Sequence, residues 1–446
     1  MIKYGFLLSL LFFTLSSYGQ YEYPILPMQE RASKIDQMLK DKLDNTLPAL
    51  MDATGIDMWI LISREYNEDP VLKTMLPATW LSARRRTILV LFKPEGTDQV
   101  ERFAVARYPV TDLFAKAWDK DAQPDQWQGL VDLIAKKKPQ KIGINISEHF
   151  ALADGINTTE HQMLMRALPE SMAKRVVSAE NLAIAWLETR SEMELAVYPS
   201  IVEMGHQIIR ELYSNEVIQP GKTTTQDLVW WLRERSRELK LTNWFHPTVS
   251  IQRANADKFD HLSTFTNNNP EVILPGDLLH LDFGITYLRL QTDQQQHAYV
   301  LREGESDAPA YLKAALANAN RLQDIFTQRF AVGKTGNQIL KESREQAINE
   351  GITPSIYTHP IGYHGHAAGT TLGMWDAQDG VPHNGDYPLH QNTAYSIELN
   401  ATTHIPEWGK DIRIMLEENA IFDGKQVTYF DGRQTEFHII GLPEYN

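Results

Sequence analysis

The stretch that decides the fold is LLHLDFGITYLRLQTDQQQHAYVL, residues 278–301. Positions 279, 281, 283 and 285 are apolar, which predicts a strand with one face in the core. Asp282 therefore lies on the other face, and Asp293 follows eleven positions later in sequence that also reads as strand. A buried ionised carboxylate costs several kcal/mol unless another group compensates it, so both aspartates need a partner.

The same pattern recurs twice downstream. Glu398 lies within TAYSIELN, flanked by Ile397 and Leu399, and Glu417 lies within IRIMLEENAIF, preceded by Leu416. The segment HPIGYHGH, residues 359–366, lies between the aspartates and the glutamates and supplies an imidazole, His359. Carboxylate oxygens with one imidazole are typical of a site for two divalent cations, and we interpret the four acidic residues in this way.

Length and composition limit the remaining function classes. A chain of 446 residues predicts two domains, and 43% apolar with 22% charged residues is ordinary for a globular protein. The net charge of −14 argues against a nucleic-acid partner or an anionic membrane surface, since both need a basic face. The absence of cysteine leaves no disulfide, thiolate metal site or cysteine nucleophile.

The first 19 residues predict a cleavable export signal. Lys3 provides the positive charge, residues 6–16 the apolar segment, and Ser17-Tyr18-Gly19 a small-residue cleavage site. The apolar segment is too short to remain as a stable membrane anchor; the alternative interpretation is an ordinary buried N-terminal helix. We therefore expect an exported protein, periplasmic or secreted, with no stable membrane anchor after cleavage.

Two predicted domains follow the signal. Residues 20–180 alternate between helical and strand patterns, which predicts an α/β domain without a compact catalytic motif. Residues 181–446 begin with helical sequence, including a helix over 225–239 opened by Thr224 and Asp227, and then become rich in strands. The patterns predict helices at 29–54, 127–136, 307–330 and 334–350, and early strands at 57–63, 87–92, 102–108 and 141–147.

The order of the acidic residues and the histidine resembles that of metallopeptidase family M24, which comprises the methionine aminopeptidases, aminopeptidases P and prolidases. The matching residues are Asp282 in DFG, Asp293, His359 in HPIG, Glu398 in SIE and Glu417 in LEEN. The resemblance implies an α+β fold: a pita-bread catalytic domain over 181–446, preceded by a smaller α/β creatinase-like domain over 20–180. The N-terminal part of the resemblance is looser than the catalytic part.

The resemblance also implies a role for each of these five residues. Asp293 and Glu417 would bridge two divalent cations, Asp282 would complete the ligands of one, and His359 with Glu398 those of the other. Glu398 would also be the general base that takes a proton from the attacking water. Mn²⁺ is the expected metal, with Zn²⁺, Co²⁺ and Fe²⁺ as alternatives.

Three more histidines have an expected place in or near the site. His366, seven positions after His359, matches a family histidine that contacts the substrate and helps to stabilise the tetrahedral intermediate. His261, in FDHLSTF, matches one that lines the substrate pocket or shuttles protons; a surface-loop histidine is the alternative. His364 is expected to lie behind the ligands or in solvent.

The chain departs from the aminopeptidase P and prolidase pattern on the substrate side. Ser355 and Met415 replace a histidine and an arginine, and Leu399-Asn400 replaces the usual Pro-Gly. Recognition of proline is therefore an expectation separate from metal-dependent hydrolysis. At the final ligand position, Glu418 or a solvated pair is the alternative to Glu417, which we favour because it precedes ENAIF as the family's glutamate precedes its last strand.

The resemblance implies a metal-dependent exopeptidase acting on a peptide substrate, either an Xaa-Pro aminopeptidase or an Xaa-Pro dipeptidase (prolidase). One alternative is a non-catalytic pita-bread module that binds peptides or proteins, and retention of all five ligands argues against it. The other is a creatinase-like C–N hydrolase without metal, against which Asp282 and Asp293 argue directly. Relatives of this branch form dimers and tetramers, so a homodimer or homotetramer is expected by analogy.

Overall fold

The computed structural model describes residues 25–255 and 270–442; the predicted leader and His261 lie outside these residues. The described part contains two large sheets, one of six strands before residue 180 and one of nine strands after it. Helices pack against both sheets, in agreement with the predicted mixture of α and β structure. The domain boundary at residue 180 stays a prediction.

The first sheet has the strand order β4-β3-β2-β1-β5-β6. Its centre consists of two antiparallel strands whose residues are almost all buried, because helices cover both sheet faces. The strands are β1 (Met58–Arg64), β2 (Arg86–Phe92), β3 (Glu101–Val105), β4 (Ala115–Lys116), β5 (Ile142–Ile144) and β6 (Val176–Ser178). The helices between them are α3 (Pro70–Met75), α4 (Gln126–Lys137), α5 (Thr158–Ala167) and α6 (Glu170–Ala173).

The helix predicted over 29–54 forms in three consecutive pieces. A π-helical turn, Lys42–Thr46, separates α1 (Met28–Asp41) from α2 (Leu47–Thr54). The turn carries Lys42, which is fully buried with its Nζ 3.4 Å from a carboxylate oxygen of Glu194, in the predicted catalytic domain. This turn is therefore tied to the predicted catalytic domain by a buried ion pair.

Helices after residue 190 cover the outer side of the second sheet: α8 (Glu192–Leu212), α9 (Thr225–Glu238), α10 (Ala310–Thr327) and α11 (Gly336–Asn349). The helix before them, α7 (Glu180–Glu188), packs instead against α2 and α3 in the core of the first sheet. The predicted start of α9 is confirmed, because Thr224 and Asp227 cap it reciprocally. No helix within 25–255 or 270–442 is both long and apolar enough to cross a membrane.

The second sheet is built around β8, β11, β14 and β15. Its main strand order is β12-β14-β15-β11-β8-β7, with β13, β16 and β17 attached at the sides. The strands are β7 (Thr248–Gln252), β8 (Leu278–Phe283), β11 (Gln294–Val300), β12 (Thr353–Ile356), β13 (His359–Pro360), β14 (Thr393–Ile405), β15 (Lys410–Phe422), β16 (Val427–Tyr429) and β17 (His438–Ile440), and the two-residue strands β9 (Thr286–Tyr287) and β10 (Leu290–Gln291) form a separate small hairpin.

Strand register sets which side chains share a face. Leu279, Leu281 and Phe283 of β8 belong to the buried core that β8 shares with α8 and α9, so the predicted alternation is confirmed. On the opposite face, one row crosses five strands. Antiparallel pairing places Asp282 beside Thr248 and Gln295, Gln295 beside Glu417, and Glu417 beside Glu398. This cross-strand row forms the floor of a large cavity on that face of the sheet.

Candidate metal centre

The structure brings all five predicted ligand side chains together. Ligand atoms of Asp282, Asp293 and Glu417 all lie within 4.8 Å of one another, and so do those of His359, Glu398 and Glu417. Three of the carboxylates belong to β8, β14 and β15, Asp293 immediately precedes β11, and His359 begins β13. Glu417 is common to both groups, as expected of a residue that bridges two cations.

Several of these ligand atoms have no hydrogen-bond partner within residues 25–255 and 270–442. They are Oδ1 of Asp282, Oδ1 of Asp293 and Nε2 of His359, and all three are buried. His359 Nδ1 lies 3.1 Å from the Pro360 carbonyl oxygen, which can only accept, so Nδ1 carries the proton and Nε2 presents a lone pair. That nitrogen is 3.7 Å from Glu417 Oε1 and 3.8 Å from Asp293 Oδ2. Unpartnered donors of this chemistry fit divalent cations.

The charges of the carboxylates lead to the same conclusion. Burial raises the pKa of Asp282, Asp293 and Glu398 well above the ordinary carboxyl value, and repulsion from Glu417 raises each pKa further. The described residues that line the cavity include no lysine or arginine to offset this charge. Cations supplied from outside would therefore stabilise the ionised cluster.

Two of the carboxylates are held by a glutamine that sequence reasoning missed. Gln295 Nε2 donates to Glu398 Oε1 at 2.9 Å and to Glu417 Oε2 at 2.7 Å. The hydroxyl of Ser396 donates to the other oxygen of Glu417, Oε1, at 2.6 Å. The amide of Asn419 donates to Ser396 Oγ in turn and accepts from the backbone N–H of Asp293 at 3.0 Å.

A sequence signal for these three residues did exist. Gln295 follows Asp293 by two positions, Ser396 precedes Glu398 by two, and Asn419 follows Glu417 by two. Period-2 alternation places each of them on the same strand face as its neighbouring ligand. The same spacing, applied to the sequence once the ligands were named, would have identified these three supporting residues.

Glu417, and not the adjacent Glu418, faces the cavity. Glu418 lies on the opposite face of β15, where its Oε2 is 2.7 Å from His206 Nε2. His206 Nδ1 is in turn 2.7 Å from Asp431 Oδ2. Burial alone would lower the pKa of His206, but the two carboxylates outweigh it and raise the pKa to about 9. Glu418 is thus neutralised by an imidazolium of the protein itself.

The cluster lies in a cavity of about 590 Å³ with mainly apolar walls. Trp244, Tyr357 and Trp375 form aromatic parts of the wall. Ser355 and Met415, the two positions that depart from the family pattern, both line the same cavity. The departures therefore concern the space that a substrate would occupy.

The remaining histidines differ in position. The His366 ring lies 4.7 Å from that of His359 and 5.4 Å from that of Trp244, on the cavity wall, and its ligand atoms also approach Asp293. Burial, with the neighbouring His359, lowers the pKa of His366 to about 4. His364 is absent from the cavity lining.

Comparisons with known proteins agree with this geometry. Residues 200–418 match the sequence model of metallopeptidase family M24. The solved X-Pro aminopeptidase from Thermotoga maritima is 16% identical at a TM-score of 0.60, covering 88% of this chain and 100% of its own. The Xaa-Pro dipeptidase from Bacillus anthracis is 15% identical at a TM-score of 0.57, covering 93% of this chain and 100% of its own. At these identities, the likeness shows the fold.

A third solved structure, the prolidase from Pyrococcus furiosus, is 12% identical at a TM-score of 0.53, covering 87% of this chain and 99% of its own. Comparison with curated protein sequences gives no match. The predicted fold, a pita-bread catalytic domain in a mixed α/β chain, is confirmed. Residues 200–418 of this chain belong to metallopeptidase family M24.

Proposed function

We propose that this M24 hydrolase is an exopeptidase for peptides with proline at the second position, acting as an Xaa-Pro aminopeptidase or an Xaa-Pro dipeptidase. One observation carries the proposal. Four carboxylates and one imidazole converge on the floor of an apolar cavity, and ligand atoms of Asp282, Asp293 and His359 there have no hydrogen-bond partner in the described part of the chain. Such an arrangement is suited to metal-assisted hydrolysis of an uncharged substrate group.

The two groups of side chains define how two cations would be held. Asp282, Asp293 and Glu417 would bind one, and His359, Glu398 and Glu417 the other, with Asp293 as the second bridging residue. We propose Mn²⁺ first, because oxygen ligands predominate, and Zn²⁺, Co²⁺ or Fe²⁺ as alternatives. Bound there, the cations would lower the pKa of a water molecule and act as Lewis acids toward the scissile carbonyl.

The protein's own groups would move the protons and stabilise the developing charge. The Glu398 carboxylate would accept a proton from the attacking water and deliver it to the leaving nitrogen when the C–N bond breaks. Gln295 keeps one oxygen of Glu398 hydrogen-bonded and so fixes the orientation of this base. The His366 imidazole, on the cavity wall, would donate an N–H to the oxygen that becomes negative in the tetrahedral intermediate.

The proline part of the proposal has separate support. The solved structures with the same fold include an X-Pro aminopeptidase, an Xaa-Pro dipeptidase and a prolidase. Aromatic walls such as those formed by Trp244, Tyr357 and Trp375 suit the apolar face of a pyrrolidine ring. Ser355 and Met415 place a small hydroxyl and a thioether in this cavity, and neither group carries a charge.

A matched peptide panel tests the function. Purified protein is stripped with a chelator, reloaded with Mn²⁺, and offered Xaa-Pro dipeptides, Xaa-Pro tripeptides and the same sequences with alanine in place of proline. Chelator-sensitive release of the N-terminal residue from the proline peptides alone is the expected result. Equal cleavage of the alanine peptides would overturn the proline specificity, and no cleavage by metal-loaded protein would favour a binding module.

We also propose that the protein is exported and that it forms a homo-oligomer. The export proposal rests on the leader at residues 1–19, and N-terminal sequencing of the mature protein should begin at Gln20. A homodimer or homotetramer is proposed by analogy with the branch, and light scattering of purified protein measures it.

A further inference from the structure

We propose that Gln295 is a positioning residue, whose side-chain amide holds Glu398 and Glu417 in the orientation that receives the cations. The inference rests on the proposed metal-dependent function. The Gln295 side chain is uncharged, and we propose no contact between it and the reacting atoms. Its role would be to set the two carboxylates before a cation arrives.

The register of the sheet places Gln295 at the centre of the cross-strand row. On one side it pairs with Asp282 of β8 and on the other with Glu417 of β15, which pairs with Glu398 of β14. A primary amide nitrogen carries two hydrogens, and here each has its own carboxylate oxygen, at 2.7 and 2.9 Å. One side chain thus links the facing glutamates of two strands.

The other end of the amide is fixed as well. Gln295 Oε1 lies 2.9 Å from Nε2 of His280, and an amide oxygen can only accept, so His280 donates from Nε2. His280 Nδ1 lies 3.5 Å from the hydroxyl of Ser250. A flip of the amide would turn its oxygen toward two carboxylates and its nitrogen toward an N–H donor. The contacts at both ends therefore allow a single amide orientation.

The fixed Gln295 amide reduces the repulsion between the carboxylates of the ligand cluster. Glu398 and Glu417 face each other on adjacent strands with two further carboxylates nearby, and like charges directly opposite each other are destabilising. A hydrogen-bond donor between them offsets part of the repulsion. Each carboxylate oxygen has two lone pairs, so an oxygen that accepts from Gln295 can still bind a cation.

The next residue on the same strand offers a matched control. Gln296 points to the opposite face of the sheet, where its Nε2 donates to Glu418 Oε1 at 2.8 Å. Its Oε1 lies 2.8 Å from His438 Nε2. Gln296 therefore makes the same kind of contacts to a buried glutamate and a histidine, but outside the cavity.

The experiment compares Gln295→Met with Gln296→Met, because methionine preserves length while removing the amide. Both variants and the wild type are stripped with a chelator, and Mn²⁺ binding is measured by calorimetry together with the thermal midpoint of the metal-free protein. We expect both variants to lose stability, but Mn²⁺ affinity to fall about 10- to 100-fold in Gln295→Met alone. Affinity in Gln296→Met should stay within about twofold of the wild type.

Two results would overturn the inference: wild-type Mn²⁺ affinity in Gln295→Met, or an equal loss in Gln296→Met. If Gln295→Met fails to fold, Gln295→Asn replaces it. This variant keeps the amide but is one methylene too short to reach both glutamates. We expect Gln295→Asn to bind Mn²⁺ at least about fivefold more weakly than the wild type, and unchanged affinity would overturn the inference.

The outcomes also separate this inference from the proposed function. Wild-type protein that binds Mn²⁺ but cleaves no proline peptide would overturn the proposed specificity, while an affinity loss confined to Gln295→Met would still support the positioning role. Wild-type protein that binds none of Mn²⁺, Zn²⁺, Co²⁺ and Fe²⁺ would overturn both.

Discussion

Strands β11 and β15 place one glutamine–glutamate pair on each face of the sheet, and the charges around the two pairs are of opposite sign. On the cavity face, Gln295 donates to Glu417, and the other groups close to Glu417 include three more carboxylates. On the opposite face, Gln296 donates to Glu418, and Glu418 contacts the imidazole of His206. One glutamate is neutralised within the protein, and its neighbour in sequence is not.

This difference shows how a structural carboxylate can be told from a functional one. Removing one partner of a buried ion pair is strongly destabilising, so a protein that buries Glu418 for stability also supplies His206. Glu417 is equally buried but has only neutral hydrogen-bond donors, Ser396 and Gln295, among its hydrogen-bond partners in the described residues. The lack of a positively charged hydrogen-bond partner for Glu417 among the described residues is what we expect of a carboxylate that binds a cation.

The largest effect is expected when the charge of the cavity glutamate, Glu417, is removed. Glu417→Gln should reduce turnover of an Xaa-Pro peptide by about 10³-fold or more and lower the bound metal, because it removes a carboxylate common to both ligand groups. Asp293→Asn should behave in the same way. Metal analysis and steady-state kinetics measure both effects, and wild-type turnover in either variant would refute the assignment.

A smaller effect is expected at the cavity wall. His366→Ala should lower kcat by about 10²-fold while the metal content stays at the wild-type level, since one contact to the transition state is lost. Kinetics and metal analysis on the same preparation measure this. A loss of metal in the variant would show instead that His366 is itself a ligand, which its proximity to Asp293 and His359 allows.

On the opposite face, the corresponding substitution should affect stability. Glu418→Gln removes the fully buried partner of His206 and should lower the free energy of unfolding by about 3 kcal/mol. Metal content and the KM for a peptide should stay as in the wild type. Urea denaturation measures the stability change, and loss of Mn²⁺ binding by folded Glu418→Gln would contradict the division between the two faces.

The smallest effect is the pH dependence of the same ion pair. The pKa of His206 is raised to about 9 in the folded protein, from an ordinary value of 6.5. A raised pKa means that its stabilisation is complete below about pH 6.5, decreases as the pH rises, and is lost above about pH 9. The stability difference between the wild type and His206→Gln should therefore shrink by about 2 kcal/mol between pH 6.5 and 8.5. Chelated samples of both proteins give this difference by urea denaturation, and a constant or growing difference would contradict the imidazolium assignment.

Much of the site was predictable because strand periodicity is local. Alternation placed Asp282 opposite the core-facing leucines of β8, and the order of the five ligands selected the family. Capping chemistry likewise predicted the start of α9 at Thr224. The alternation and the capping signal each lie within a few residues of the feature that they predict, and the ligand order needs only the sequence of residue types along the chain.

The rest depends on contacts between residues far apart in the sequence. Alternation requires Glu417 and Glu418 to lie on opposite faces, but it does not say which face is the cavity. That choice is set by the pairing of Glu398 with Glu417 and by His206, which lies 212 positions from Glu418 in the sequence. The π-helical turn at Lys42–Thr46 was also missed, because its buried Lys42 pairs with Glu194 at a separation of 152 positions.

The long hairpin of β14 and β15 has a consequence for how this site can change during evolution. Its two strands of thirteen residues are joined by the short turn Pro406–Trp408 and by Gly409 in a left-handed conformation. Deletion of one turn residue would shift β15 by one position and exchange its faces. Glu418 would then stand opposite Glu398, while His206 would face Asn419. The doubled glutamate would thus keep a carboxylate in the cavity, but the slip would also turn Ile412, Ile414 and Leu416 out of the core. The cost of such a deletion would therefore fall on the stability of the whole sheet.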